Sequence, residues 1–371
     1  MRPDERQNEK RQNHKRQNDK RQNDRRQNDK RELDKRAMDK PQQFPFARSS
    51  AGPAPLRRPG SVRRTTSIDS DWPDGYGKAW EMFGRARDLW TPASGEPKVL
   101  AAASFRIMAS PLREILSIET DPVHPRAEEL VGVRAGGASR VAIAEAMSDV
   151  IGGPLYQLLD DFAGASLVAG WIWSRWTNDW LSQARRSGLQ STAGKKGQML
   201  DICTGFAEGA SSFGPEGMPD STNQSSAEVG PLENPDDAAG WHAMPHQAGP
   251  QKRRARRIDV WREGELIKFD AGFQDSGSNP NGGRTAIHEY RAFGEIDAVS
   301  GELLALQALP LILPYRECPG ASVKVTRMIG KRAQDFRSAV LETLPSTLGC
   351  THLNDVMRAL ADAPHLAERL V

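Results

Sequence analysis

Cysteine is scarce in this chain: 371 residues contain three, Cys203, Cys318 and Cys350. So few, so widely spaced, exclude a disulfide framework and suit free thiols in a reducing compartment. Long apolar runs are also missing. None reaches the roughly 20 residues needed to cross a bilayer, so no membrane span is expected. The N-terminus lacks the apolar stretch of a secretory signal, which makes cytoplasm the expected location. Several familiar motifs are absent too. No GxGxxG or GxxxxGK[ST] loop cradles a nucleotide phosphate, and no GxSxG turn presents a serine nucleophile. His288-Glu289 does not open an HExxH zinc-protease signature, because Arg291 and Ala292 follow Tyr290.

What is present first is a repeat. Residues 1–40 are built from five-residue blocks such as RQNEK, RQNHK, RQNDK and RELDK. A period of five advances about 500° around a helix, so repeated positions spiral over the surface and form no apolar stripe. With fifteen basic and nine acidic residues this segment carries +6 of a total of +3, leaving the remainder at −3. Every RQNDK block interposes an Asp among its bases, which argues against a nucleic-acid arm. Disorder, or a start placed too early with Met38 as the true one, is the expectation.

The rest divides by composition into a repeat and leader (1–55), an N-terminal α+β region (56–184), a flexible insertion (185–255) and a C-terminal region (256–371). GRARDLWT, VLAAASFRIMAS and LREILSIETDP read as short strands. PLYQLLDDFAGASLVAGWIWSRWTNDWLSQARR reads as bent helix, with Trp173, Trp176 and Trp180 at 3,4 spacing anchoring it to a core or a protein partner. QKRRARR reads as a solvated linker. IDVWREGELIKFDAGF and TAIHEYRAFGEIDAVSGELLALQALP alternate as strands, and VTRMIGKRAQDFRSAVLETL and HLNDVMRALADAPHLAERL each support a helix. The expected class is α+β: antiparallel sheet elements, C-terminal helices and a Trp-rich central helical region.

Chemistry-bearing side chains concentrate late. In GCTHLND, Cys350 and His352 stand beside Asp355; Thr351 is the expected N-cap, and Asp355, three residues after His352, is placed to orient it. As a strand, IHEYRAF puts His288 and Tyr290 on one face and Glu289 and Arg291 on the other. Cys318, Cys350, His352 and His288 offer thiolate and imidazole donors of the kind that hold Zn or Fe, with Cys203 as a further donor; a reactive thiol is the other chemistry open to them. Adjacent Asp160 and Asp161 point about 100° apart on a helix and read as solvated or capping carboxylates.

HEYR at 288–291, GEIDAVSG, LPYRECPGA around Cys318, VTRMIG and GCTHLND together resemble a family of bacterial proteins carrying a domain of unknown function, DUF2889. The resemblance is firmest over residues 284–371, and RRTTSID with GRARDLWT extends it into the first half. It carries no assigned reaction, substrate or cofactor; it implies that His288, Cys318, Cys350 and His352 meet in space. The functional expectation is a metal- or thiol-dependent small-molecule enzyme, with Cys350, His352, His288 and Arg291 as catalytic candidates, Arg291 holding an anionic substrate. Its alternative is a non-catalytic accessory protein with a structural Cys/His cluster.

Overall fold

The structure, a computed structural model, describes residues 41–186, 199–245 and 248–370. The five-residue repeat and Met38 lie outside the described residues. One nine-stranded antiparallel sheet organises them. Its strands are β1 Ser61–Asp71, β2 Trp80–Thr91, β3 Lys98–Ala109, β4 Ile115–Asp121, β5 Ala227–Val229, β6 Gln251–Glu263, β7 Leu266–Ser278, β8 Arg284–Asp297 and β9 Leu303–Ile312. The order is β4-β3-β2-β1-β6-β7-β8, and β8 carries both β9 and the short β5 on its far edge. Helices follow each group of strands: α1 Gly137–Ala146, α2 Pro154–Asp160, α3 Phe162–Ala165, α4 Ala169–Ser174 and α5 Trp180–Arg186, then α6 Gly320–Lys324, α7 Phe336–Thr343, α8 Thr351–Ala359 and α9 Ala363–Ala367. The α+β class expected from the sequence is what the chain adopts. No described helix is long and apolar enough to cross a membrane.

The same unit occurs twice in this sheet. RRTTSID in β1 and RRARRID in β6 lie antiparallel at its centre, with Arg63 opposite Asp259, Asp69 opposite Arg253, and Thr66 opposite Arg256. That register is its own image under a two-fold rotation. Moving outward, Arg64 faces Asp88 of β2 as Arg254 faces Asp275 of β7. Each of those aspartates is followed by a β-bulge in its pairing with the next strand. Beyond the fourth strands, Gly132 (φ +85°) and Gly330 (φ +83°) make the same left-handed turn, and Glu114–Arg134 and Glu302–Arg332 make equivalent isolated bridges. The α1–α2 pair, joined through Gly152-Gly153, then matches α7–α8, joined through Gly349-Cys350.

Both faces of the central strands are covered, which explains why β1 and β6 are buried almost throughout. Even-numbered residues of β1 and β6 face the helices; odd-numbered ones face the leader and residues 232–245, where Arg63 donates to Pro55 O and Arg253 to Pro245 O. QKRRARR is therefore no solvated linker. Its arginines are neutralised by carboxylates, some near and some far in the chain: Arg257 by Asp259 and Asp270, Arg254 by Asp275 and the distant Asp355, Arg256 by Asp161, and Arg253 by Asp69. Asp160 and Asp161 are accordingly buried in ion pairs, Asp160 with Arg358 and Asp161 with Arg256, and not solvated. An unpaired charge at these depths costs several kcal/mol, so the partners must arrive together.

The segment expected as a flexible insertion is, where described, a cover for the sheet. Cys203, Trp241 and His242 are buried in it, and β5 extends the sheet. The sheet also joins the regions 56–184 and 256–371 directly, through β1 and β6. The tryptophans of the central helices turn inward: Trp173 meets Trp72 edge-on at 6.2 Å, Trp180 meets Tyr76, and Trp176 Nε1 donates to Ser278 O. The expected long helices are broken. Val168 adopts φ +60° between α3 and α4, and Gly330 ends the turn before α7. Gly164 is a place where the repeats press together: a Cβ there would stand 1.9 Å from Arg254 Nη1 and 2.4 Å from Asp355 Oδ2. Gly164→Ala is expected to destabilise the fold by about 2 kcal/mol or more, read from the urea midpoint at unchanged slope.

Candidate functional site

A buried cluster of donor atoms forms where β7, β8 and α8 meet. His288 in β8 is the cross-strand neighbour of Asp275 in β7, and His352, the second residue of α8, descends onto both. The imidazole rings of His288 and His352 stack with centroids 3.4 Å apart and planes at 15°. His352 Nε2 lies 3.5 Å from Asp275 Oδ2, and neither it nor His288 Nδ1 has a hydrogen-bond partner. One donor atom each from Asp275, His288 and His352 lies within 4.8 Å of the others, the only such His/Cys/Asp/Glu group of three among the described residues.

Buried polar atoms rarely go unpaired, and two in one cluster call for a ligand or a role. Electrostatics fit a ligand role. Burial lowers the pKa of His288 well below the usual imidazole range, and burial pushes His352 down to about 3, so both rings are neutral, the form that donates a lone pair. Burial opposes the Asp275 charge, yet Arg254 and Lys252 hold its carboxyl far below the usual range. Arg254 grips it with Nε to Oδ1 at 3.1 Å and Nη2 to Oδ2 at 2.9 Å. Lys252 Nζ stands 3.7 Å from Oδ1, its pKa drawn down to about 8 by burial.

The three cysteines gather next door, around Tyr290, two residues along the same face of β8 from His288. Cys350 is the N-cap residue of α8, so Thr351 is its first helical residue and not the cap. Cys203 is brought in by Thr204, whose N–H donates to Gly349 O at 2.8 Å. Gly205 lies so close that a Cβ would stand 2.5 Å from Cys318 Sγ. Burial raises all three thiols, Cys203 to about 12 and Cys318 well above its ordinary value. The expected mixed ligand set of Cys318, Cys350, His352 and His288 is thus split: the imidazoles join Asp275, and the cysteines form a separate buried group. Two other candidates go elsewhere. Arg291 is on the opposite face of β8, where Nη2 bonds Asp270 Oδ2 at 2.7 Å, so it meets no ligand at the histidines. Asp355 bonds Arg140 and Arg254 at 2.7 and 2.8 Å, leaving His352 to Asp275.

Residues 252–365 match the family described as Protein of unknown function (DUF2889). This region of the chain is DUF2889-like. No curated protein and no solved structure gives a significant match. The DUF2889 match begins in β6 and runs past α8, so it contains Asp275, His288, His352, Cys318 and Cys350 and leaves out the first repeat.

That first repeat is an internal control. Ala101 pairs with Asp88 in β3 as His288 pairs with Asp275, and Leu155 is the second residue of α2 as His352 is of α8. The Arg–Asp foundation is kept in both copies, whereas the two histidines belong to the DUF2889 copy alone. Asp275 and Arg254 escaped the sequence reading. The signal was available in the shared RRxxxID pattern, whose 190-residue offset aligns Arg64 with Arg254 and leads across the sheet to Asp88 and Asp275.

Proposed function

We propose that the DUF2889-like repeat holds one transition-metal ion on Asp275, His288 and His352, and that the protein is a metal-dependent enzyme acting on a small molecule there. The observation that carries this reading is the pair of buried, unpartnered imidazole nitrogens beside a carboxylate, at positions where the sister repeat has Ala101 and Leu155. Three protein donors leave at least one coordination position for water or substrate, the arrangement of catalytic sites and not of closed structural ones.

The donor set also selects the ion. Asp275 shares its charge with Arg254, so the imidazoles must supply most of the affinity; zinc, iron(II), cobalt or nickel fit, and calcium and magnesium do not. The two rings, stacked 3.4 Å apart at 15°, would both have to turn a nitrogen toward the ion, which would require one of them to rotate about its Cβ–Cγ bond, a torsion with a broad profile. A thiol nucleophile is less well supported, because burial holds the three thiols protonated.

The test is metal content by mass spectrometry on protein purified without chelator or metal-binding tag. About one equivalent of zinc or iron is expected, falling by more than about tenfold in His288→Ala and His352→Ala and unchanged in Cys318→Ser. Wild-type protein that stays below about 0.1 equivalent after incubation with each ion and removal of excess would overturn the reading.

A further inference from the structure

A cavity of about 650 Å³ opens in the first repeat, at the place related by the internal two-fold to the Asp275–His288–His352 centre. Arg64, Ala101, Ala102, Ala103, Gly153 and Leu155 are among its walls. Four of these correspond to larger or polar groups in the second repeat: Ala101 to His288, Ala103 to Tyr290, Gly153 to Cys350, and Leu155 to His352. Two imidazoles, a phenol and a thiol fill one copy of the site, and their replacement by methyl, hydrogen and isobutyl groups leaves the other copy hollow.

Behind the Arg64 wall of the hollow the same ion pair is kept, with Asp88 fully buried. Arg64 grips Asp88 with Nε to Oδ1 at 2.6 Å and Nη2 to Oδ2 at 2.7 Å, the bidentate contact that Arg254 makes with Asp275. Arg64 Nη1 also bonds Asp362 Oδ2 at 2.7 Å, as Arg254 Nη1 bonds Asp355 Oδ2 at 2.8 Å. A carboxylate has about four lone-pair positions; Asp88 accepts two bonds from Arg64 and has Arg369 Nη1 3.5 Å from Oδ2, as Asp275 has Lys252 Nζ 3.7 Å from Oδ1, so the two carboxylates keep like capacity for a cation.

We propose that the chain is a tandem duplication of one metal-binding unit, and that the cavity walled by Arg64, Ala101 and Leu155, with Asp88 buried behind Arg64, is its vacated second centre, competent for a divalent transition metal once imidazoles are restored. The inference rests on the metal reading of the second repeat, from which it draws its donor set. It also assigns residues 61–160 as a diverged copy of the unit that the DUF2889 match covers from residue 252 onward.

Restoring the donors tests it. Ala101→His with Leu155→His is built in the wild-type chain and in a chain already carrying His288→Ala and His352→Ala. Cobalt(II) binding is followed by its visible spectrum and by metal analysis after removal of excess. Bound cobalt is expected to rise from about one to about two equivalents in the first background, and from near zero to about one in the second. If the wild type binds one equivalent and the folded A101H/L155H chain still binds one, the duplication of the centre is refuted while the metal reading stands. If the wild type binds none but the substituted chain gains one, the metal reading falls and the vacated geometry survives. Should L155H prevent folding, Ala101→His alone projects into the open cavity with two of the three donors in place. Added free imidazole then supplies the third, and imidazole-dependent cobalt binding that Asp88→Asn abolishes is the supporting result; its absence overturns the proposal.

Discussion

Arg254→Met is expected to destabilise the protein by about 3–5 kcal/mol, the cost of removing the two-bond cation of the buried Asp275, while Asp355 keeps Arg140 and Asp161 keeps Arg256. Arg254 is fully buried and holds Asp275 through two bonds and Asp355 through a third, with Asp161 3.7 Å away. The methionine chain fills most of the volume and keeps contact with Phe273, over which the guanidinium now lies at 5.0 Å, so the loss reports the charge. Arg64→Met removes the two-bond partner of Asp88 but leaves Asp362 to Arg337 and Arg369 within 3.5 Å of Asp88, and is expected to cost less. The two variants part company at the metal. Arg254→Met releases Asp275 from its orientation and weakens binding there, whereas Arg64→Met lowers stability and leaves affinity unchanged. Adding Asp275→Asn to Arg254→Met removes the stranded charge and is expected to recover part of the stability. Equilibrium urea unfolding with constant slope reads all three. A loss below about 1 kcal/mol for Arg254→Met would mean that water already solvates these carboxylates, contrary to the closed packing over β6.

The arginine network also explains which parts of this molecule were legible in its sequence. IDVWREGELIKFDAGF alternates cleanly, and it folds as the β6–β7 hairpin, because period-two patterning is a local property. The face assignment within IHEYRAF holds for the same reason: His288 and Tyr290 turn toward the helices, Glu289 and Arg291 away. QKRRARR defeated local reading because most of its neutralising groups arrive from β1, β7, the turn after α2 and α8, up to 184 residues away. Five basic residues in seven look solvated until Asp69, Asp161, Asp259, Asp270, Asp275 and Asp355 are known to surround them. VTRMIGKRAQDFRSAVLETL had the composition of one helix, yet Gly330 turns the chain so that Arg332 can bridge Glu302. The candidate site was half visible. His288 and His352 were found as donors, but Asp275 sits in FQDSGSNPNGG, where nothing nearby distinguishes it from a turn residue.

Acid is expected to weaken the fold in two separate windows, the first set by histidines. His242 is buried against the outer face of β1, its ring nitrogens 2.8 Å from Thr65 Oγ1 and 2.7 Å from Ser67 Oγ. Burial, reinforced by the charges of Arg87, Arg85 and Arg253, pushes its pKa down to about 3. In the unfolded chain the same ring takes up a proton near pH 6.5. Between about pH 6.5 and about 3 the unfolded state therefore binds the extra proton, and stability falls by up to about 1.4 kcal/mol per pH unit for this one group. Above about pH 6.5 both states are neutral and the slope vanishes. His288 and His352 are depressed in the same direction and steepen the same window. The second window belongs to carboxylates such as Asp362, which burial would raise but Arg337 and Arg64 hold low. Their contribution is complete above the ordinary aspartate range and is lost as pH drops from there through the depressed folded values, so it cannot produce a slope near pH 6. His242→Gln separates the two. It is expected to lose about 1 kcal/mol at pH 7 through poorer hydrogen bonding to Thr65 and Ser67, and to flatten the slope between pH 6 and 4 by about one proton. Urea midpoints measured across that range decide the matter: an unchanged slope in His242→Gln would place the His242 ring in contact with water and shift the acid response to the histidines of the candidate centre.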